Sequence, residues 1–85
     1  MHTTALSIVL DCGATNVKVH AINQKGEIVK SASYPNNTQP DPSYPQYRIW
    51  DIDEIWNKMC MASREVMARL KKDDIIGISV TTFGV

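Results

Sequence analysis

Ala5-Leu-Ser-Ile-Val-Leu-Asp-Cys-Gly-Ala-Thr-Asn-Val-Lys-Val-His-Ala-Ile22 is the stretch whose reading decides the fold. Its first part, Ala5 to Asp11, is a run of strand formers with little alternation, the pattern of a central strand covered on both faces. Cys12-Gly13-Ala14-Thr15 then supplies small residues and one glycine. From Asn16 to Ile22 the residues alternate, with Val17, Val19 and Ala21 on one side and Asn16, Lys18 and His20 on the other. The stretch reads as two antiparallel strands joined by a tight, polar-lined turn.

Working outward, Asn23-Gln-Lys-Gly26 is a second turn, with Gly26 available for positive φ. Glu27 to Tyr34 is a third strand, in which Ile28, Lys30, Ala32 and Tyr34 oppose Val29, Ser31 and Ser33. Pro35 to Tyr47 holds all four prolines of the chain and has no apolar periodicity, so an irregular surface loop is expected there. Asp51 and Glu54 have capping-box spacing. They open a helix with apolar positions at Ile52, Ile55, Trp56, Met59, Val66, Met67 and Leu70, read as one buried stripe. Arg69, Lys71 and Lys72 suit its negative pole, and Asp73-Asp74 separate it from a last apolar strand, Ile75 to Thr81. The order is βββαβ, an α/β unit: a three-stranded antiparallel meander plus a strand returning parallel to the first after one helix.

Composition narrows the function classes. The 85 residues are 44% hydrophobic and 21% charged, enough for one small domain and too few for two lobes closing on a substrate. Nine Lys plus Arg balance nine Asp plus Glu, which leaves no global field to hold nucleic acid or an anionic membrane. No apolar run approaches the ~20 residues that span a bilayer, and the run Ala5 to Leu10 ends at Asp11 without the form of a signal peptide. Cys12 and Cys60 lack CxxC spacing, so a reducing, cytoplasmic setting is expected. The last strand runs into Thr82-Phe83-Gly84-Val85 with no polar tail, which suggests an incomplete domain opening a longer protein, with a free strand edge open to self-association.

Asp11-Cys-Gly-Ala-Thr-Asn-Val-Lys18 is the segment best equipped for chemistry. Asp11 falls where the first strand stops being apolar, so its carboxylate should face the crevice beyond the strand ends. Such a carboxylate suits hydrated Mg2+, which prefers oxygen ligands and keeps several waters. Gly13 permits close backbone approach, Ala14 and its neighbours offer amide N–H groups, Thr15 and Asn16 add side-chain donors, and Lys18 adds positive charge. An ordinary hairpin in which Asp11 caps the turn and Lys18 is solvated accounts for the same residues. His20 and His2 have no partners at metal-ligand spacing and read as solvated or packed. Cys12 reads as a small packed residue. The methionines read as helix core and edge, and Trp50 either stacks on a ligand with Tyr44 and Tyr47 or packs against the helix start.

Val9-Leu-Asp-Cys-Gly-Ala-Thr-Asn-Val-Lys18, Ala21 to Val29, Trp50 and Ile76-Gly-Ile-Ser-Val-Thr-Thr-Phe-Gly-Val85 together resemble the amino terminus of the FGGY carbohydrate kinases. The resemblance runs from about Ser7 to Val85 and is weakest through the proline-rich loop. It implies a ribonuclease H-like fold, that of actin-like ATPases, with the first phosphate-binding turn between the first two strands. It implies ATP and Mg2+ as cofactors and a small-molecule sugar as partner, the γ-phosphoryl group passing to a primary hydroxyl. Asp11 matches the family aspartate near magnesium, and Gly13, Ala14, Thr15 and Asn16 match the phosphate turn. Lys18 stands where many relatives carry arginine, keeping the charge without the bidentate fork. Thr82, Phe83 and Gly84 match the approach to the sugar. The catalytic base and the adenosine lobe are implied to lie downstream, so residues 1–85 alone should be inactive.

Two other classes fit parts of the pattern. A ribonuclease H-like nuclease also places an aspartate on its first strand, but needs further carboxylates converging on it, and the last strand offers Thr81 and Thr82 instead. A non-catalytic interaction module would use the proline-rich loop or an open sheet edge.

Overall fold

The computed structural model describes residues 5–83. Strands β1 (Leu6–Cys12), β2 (Asn16–Ile22) and β3 (Ile28–Pro35) form the meander, α1 (Ile52–Met67) crosses over, and β6 (Ile75–Thr82) returns. Two short strands between them, β4 (Gln39–Pro40) and β5 (Arg48–Ile49), pair with each other, and a single 3-10 turn, Lys72–Asp74, precedes β6. The main sheet has the order β3-β2-β1-β6, antiparallel at the first two junctions and parallel between β1 and β6. This is the arrangement expected from the sequence.

Register explains which side chains are inside, because residues directly opposite one another share a face of the sheet. Ile8 pairs with Ala21, Leu10 with Val19, Cys12 with Val17, and Val19 with Ala32. Ile8, Val17, Val19, Ala21 and Ala32 are all buried, packed with Met59, Ala62 and Val66 of α1, which recur on one helix face. Ala21, Ala32 and Ala62 let the helix sit close, and it packs over β2 and β3 more than over β1. The opposite face carries Ser7, Asp11, Lys18, His20, Ser31, Ser33, Ser79 and Thr81 by the same registers. It is a wet face of the kind antiparallel sheets tolerate. A cross-strand bond of 2.9 Å between Ser31 Oγ and His20 Nδ1 lies on it.

Three expectations are corrected. β1 is not covered on both faces: within the described residues only its helix side is packed, because α1 is the single layer. The helix stripe is narrower than its apolar positions suggest. Ile55, Met59, Ala62 and Val66 face the sheet, while Ile52 and Trp56 are 71% and 65% exposed. The segment from Pro35 to Tyr47 is not wholly irregular or exposed: Gln39 and Pro40 pair with Ile49 and Arg48, and Asn36 is buried. Arg48 holds the entry to that ladder through Thr38, donating to its hydroxyl at 2.9 Å and its carbonyl at 2.6 Å.

Candidate functional site

The β1–β2 turn is built by hydrogen bonds that leave its tip open. The Gly13 N–H donates to the Asn16 carbonyl at 2.9 Å. Ala14 and Thr15 form the exposed tip, and their backbone amides have no acceptor among the described residues. Beneath the turn lies Asn36, which follows β3 and is only 3% exposed. Its Nδ2 donates to the Gly13 carbonyl at 2.9 Å, and its backbone N–H donates to the Thr15 carbonyl at 2.9 Å. Two carbonyls of the turn thus have their donors from Asn36, and the Ala14 N–H, on the same trans peptide as the Gly13 carbonyl, points the opposite way, a polarity that suits an anion.

Asp11 stands one residue before the end of β1, opposite Lys18 on β2 and Thr81 on β6. The three side chains therefore share the wet face at the carboxyl end of the parallel pair, where open α/β sheets bind ligands. Among the described residues no hydrogen bond or ion pair engages the Asp11 carboxylate. A half-exposed carboxylate with no partner among the described residues is a group that could hold hydrated Mg2+, an ion bound through one or two carboxylates.

Thr82 is brought to the same end of the sheet but not to the same face. It pairs with Cys12, so its side chain belongs to the helix side, away from Asp11. The Phe83 N–H donates to the Cys12 carbonyl at 3.1 Å, extending the ladder by one step. The Phe83 ring meets Trp50, with centroids 4.9 Å apart and planes inclined by 49°. Trp50, just before the helix start, thus has the Phe83 ring as a packing partner. Tyr44 and Tyr47 remain exposed in the loop. Gly84 lies outside the described residues.

Sequence reasoning missed Asn36, because an asparagine inside a proline-rich loop carries no periodic signal and its importance depends on a contact 23 residues back along the chain. A cavity of about 420 Å³ lies at the other end of β1, near Leu6, Asn23 and Leu70, away from this chemistry. A wholly apolar groove of about 230 Å³ lies between α1 and β6, floored by Leu10 and Cys12 and walled by Ile52, Trp56 and Val80. No helix among the described residues is long and apolar enough to cross a membrane.

Comparison with known proteins identifies the family and the fold. Residues 6–85 match the family model for the N-terminal domain of the FGGY family of carbohydrate kinases. The chain is 44% identical over 86 residues to the L-fuculokinase of Haemophilus influenzae, covering 95% of this chain and 18% of that protein. It is 41% identical over 78 residues to the L-fuculokinase of Escherichia coli, covering 92% and 16%, respectively. With the apulose kinase of Pectobacterium atrosepticum the identity is 27% over 79 residues, covering 92% and 15%. The crystal structure of Plasmodium falciparum glycerol kinase with ADP superposes on 92% of this chain and 16% of its own with a TM-score of 0.65, which at 19% identity speaks for a common fold. The chain therefore spans less than a fifth of the length of its curated relatives.

Proposed function

Since the chain belongs to the FGGY family of carbohydrate kinases, we propose that residues 1–85 are the amino-terminal part of the first domain of an ATP-dependent sugar kinase. The remainder of that domain and the second domain lie outside them. The sheet order and the parallel return of β6 fit the ribonuclease H-like unit of actin-like ATPases. The sugar is L-fuculose, a reading supported by the names of the relatives at 44% and 41% identity. The observation that carries the proposal is the junction of Asp11 with the open Gly13–Asn16 turn at the carboxyl end of β1.

In the reaction the bond between the γ-phosphorus and the bridging oxygen of ATP breaks, and a bond forms from that phosphorus to the sugar's primary hydroxyl oxygen. ADP leaves, and the hydroxyl proton passes to a carboxylate outside residues 1–85. Mg2+ supplies neutralisation of charge on the phosphoryl oxygens when bound. Asp11 would hold that ion and so serve charge rather than take the sugar's proton. The amides of Ala14 and Thr15, with the Thr15 hydroxyl and the Asn16 side chain, donate to phosphate oxygens. Lys18, across from Asp11, offsets negative charge at the same edge. Thr82 and Phe83 border the sugar from the neighbouring strand end, with the Trp50 ring fixing Phe83, and Gly84 is assigned to the same contact by its match to the family.

A cytoplasmic enzyme suits two free cysteines. Taken alone, the 85-residue chain is expected to lack turnover and to self-associate through the free edge of β6. The decisive experiment is an assay of the complete polypeptide with ATP, Mg2+ and L-fuculose, beside Asp11→Ala. Phosphorylation that falls by roughly a hundredfold or more in the variant is the expected result, the scale of losing charge placement at a transferring phosphoryl group. Unchanged kinetics in Asp11→Ala would remove the role given to that residue, and no phosphorylation of L-fuculose with turnover on another sugar would correct the substrate alone.

A further inference from the structure

We propose that Asn36 is a positioning residue for the nucleotide's phosphates: it acts through the Gly13–Asn16 turn, which it holds from beneath, and does not itself touch the ligand. The inference rests on the reading of that turn as the phosphate site. Three observations carry it. Asn36 is 3% exposed, although it lies in the most polar, proline-rich part of the chain. Its side chain and backbone each occupy a different carbonyl of the turn, Gly13 at 2.9 Å and Thr15 at 2.9 Å. By drawing the Gly13 carbonyl inward, the first of those bonds sets the Ala14 N–H of the same trans peptide on the opposite side, and the amides of Ala14 and Thr15 have no acceptor among the described residues.

The residue before it is anchored in turn. Lys58 of α1 donates from Nζ to the Pro35 carbonyl at 2.5 Å while paired with Glu54 at 2.7 Å. Glu54 also accepts from Gln39 at 3.2 Å, on the far side of Asn36 in sequence. The helix therefore grips the chain on both flanks of Asn36, and Asn36 grips the turn. A buried amide so placed is costly to replace, because the part-buried Gly13 carbonyl would lose its donor. The turn would relax by rotating that carbonyl outward, which places a partial negative charge where phosphate oxygens belong. The Oδ1 of Asn36 is buried and has no hydrogen-bond partner among the described residues. It adds nothing to the hold on the turn, so the donor Nδ2 is the atom whose loss matters.

The test uses the complete polypeptide and direct binding by titration calorimetry with magnesium-ATP and, separately, with adenosine. Asn36→Leu keeps the volume and removes the donor. It is expected to weaken magnesium-ATP about tenfold and leave adenosine within about twofold, since only the phosphates meet the turn. Asn36→Asp, isosteric and lacking the amide donor, should repeat that split and stands in if the leucine variant does not fold. Equal losses for ATP and adenosine would reduce Asn36 to a general structural role and overturn the proposal. Unchanged ATP binding in Asn36→Leu or Asn36→Asp, with Asp11→Ala impaired, would overturn it while leaving the phosphate site standing. If Asp11→Ala and the Asn36 variants all bind ATP normally, the phosphate-site reading fails and the inference falls with it.

Discussion

Gly13 and Gly26 are both turn glycines, yet for different physical reasons. A Cβ on Gly13 would stand 2.8 Å from the Asn16 carbonyl oxygen, a backbone atom that cannot swing aside without opening the turn. Gly26 has open space around it but a φ of 80°, which L side chains resist. Gly13→Ala in the complete protein is expected to cost about 1–3 kcal/mol of stability and to lower ATP affinity as well. Gly26→Ala should cost about 1 kcal/mol and leave ATP affinity untouched. Urea unfolding and ATP titration on the pair measure both effects, and equal ATP affinity in the two variants would show that the Gly13 turn is not the ligand's. At this scale the sequence was most legible where a residue type answers a local demand, as with Gly26 or Asp11 at the end of an apolar run. Asn36 was illegible because its partners are in a turn that only the closed sheet brings to it.

The helix shows how periodicity can be right about an element and wrong about its faces. Asp51 caps α1 as its spacing with Glu54 suggests, accepting from the Glu54 N–H at 3.1 Å. The reciprocal half of the capping box is not made; the Glu54 carboxylate turns instead to Lys58 and Gln39. Asp51→Ala should cost about 1 kcal/mol, read as a lower urea midpoint, from the lost cap. Apolar residues occupy two adjoining faces of α1, and the sequence pattern joins them into one. The small residues Ala21, Ala32 and Ala62 decide which face docks, by letting backbones approach over β2 and β3. Met59→Ala, at a buried position, is therefore expected to cost about 2–5 kcal/mol, whereas truncating Trp56 costs little in the 85-residue chain. Unfolding midpoints that fell equally for the two variants would contradict this docking.

For the molecule as a whole, the balance of charge and the uncovered apolar surface matter most. Ile76, Ile78 and Val80 of β6 are 70%, 66% and 70% exposed on an edge strand, and Val80 shares a groove with the exposed Ile52 and Trp56. With a formal net charge of +0, repulsion does little to keep copies apart. Sedimentation of the 85-residue chain should show association that Ile78→Lys together with Val80→Lys relieves; a monomer at high concentration without those changes would count against it. The sequence by itself determined the order of the main-sheet strands and the helix, the parallel return of β6, both turns and the family, because strand alternation, turn glycines and the residues around Asp11 are local in the chain. Tertiary structure alone decided that Asp11, Lys18 and Thr81 share one face while Thr82 takes the other, that Trp50 closes on Phe83, and that Asn36 underpins the turn. Those facts depend on register between strands and on contacts between residues far apart in the chain, where one step of slip exchanges the faces and no local pattern records the choice.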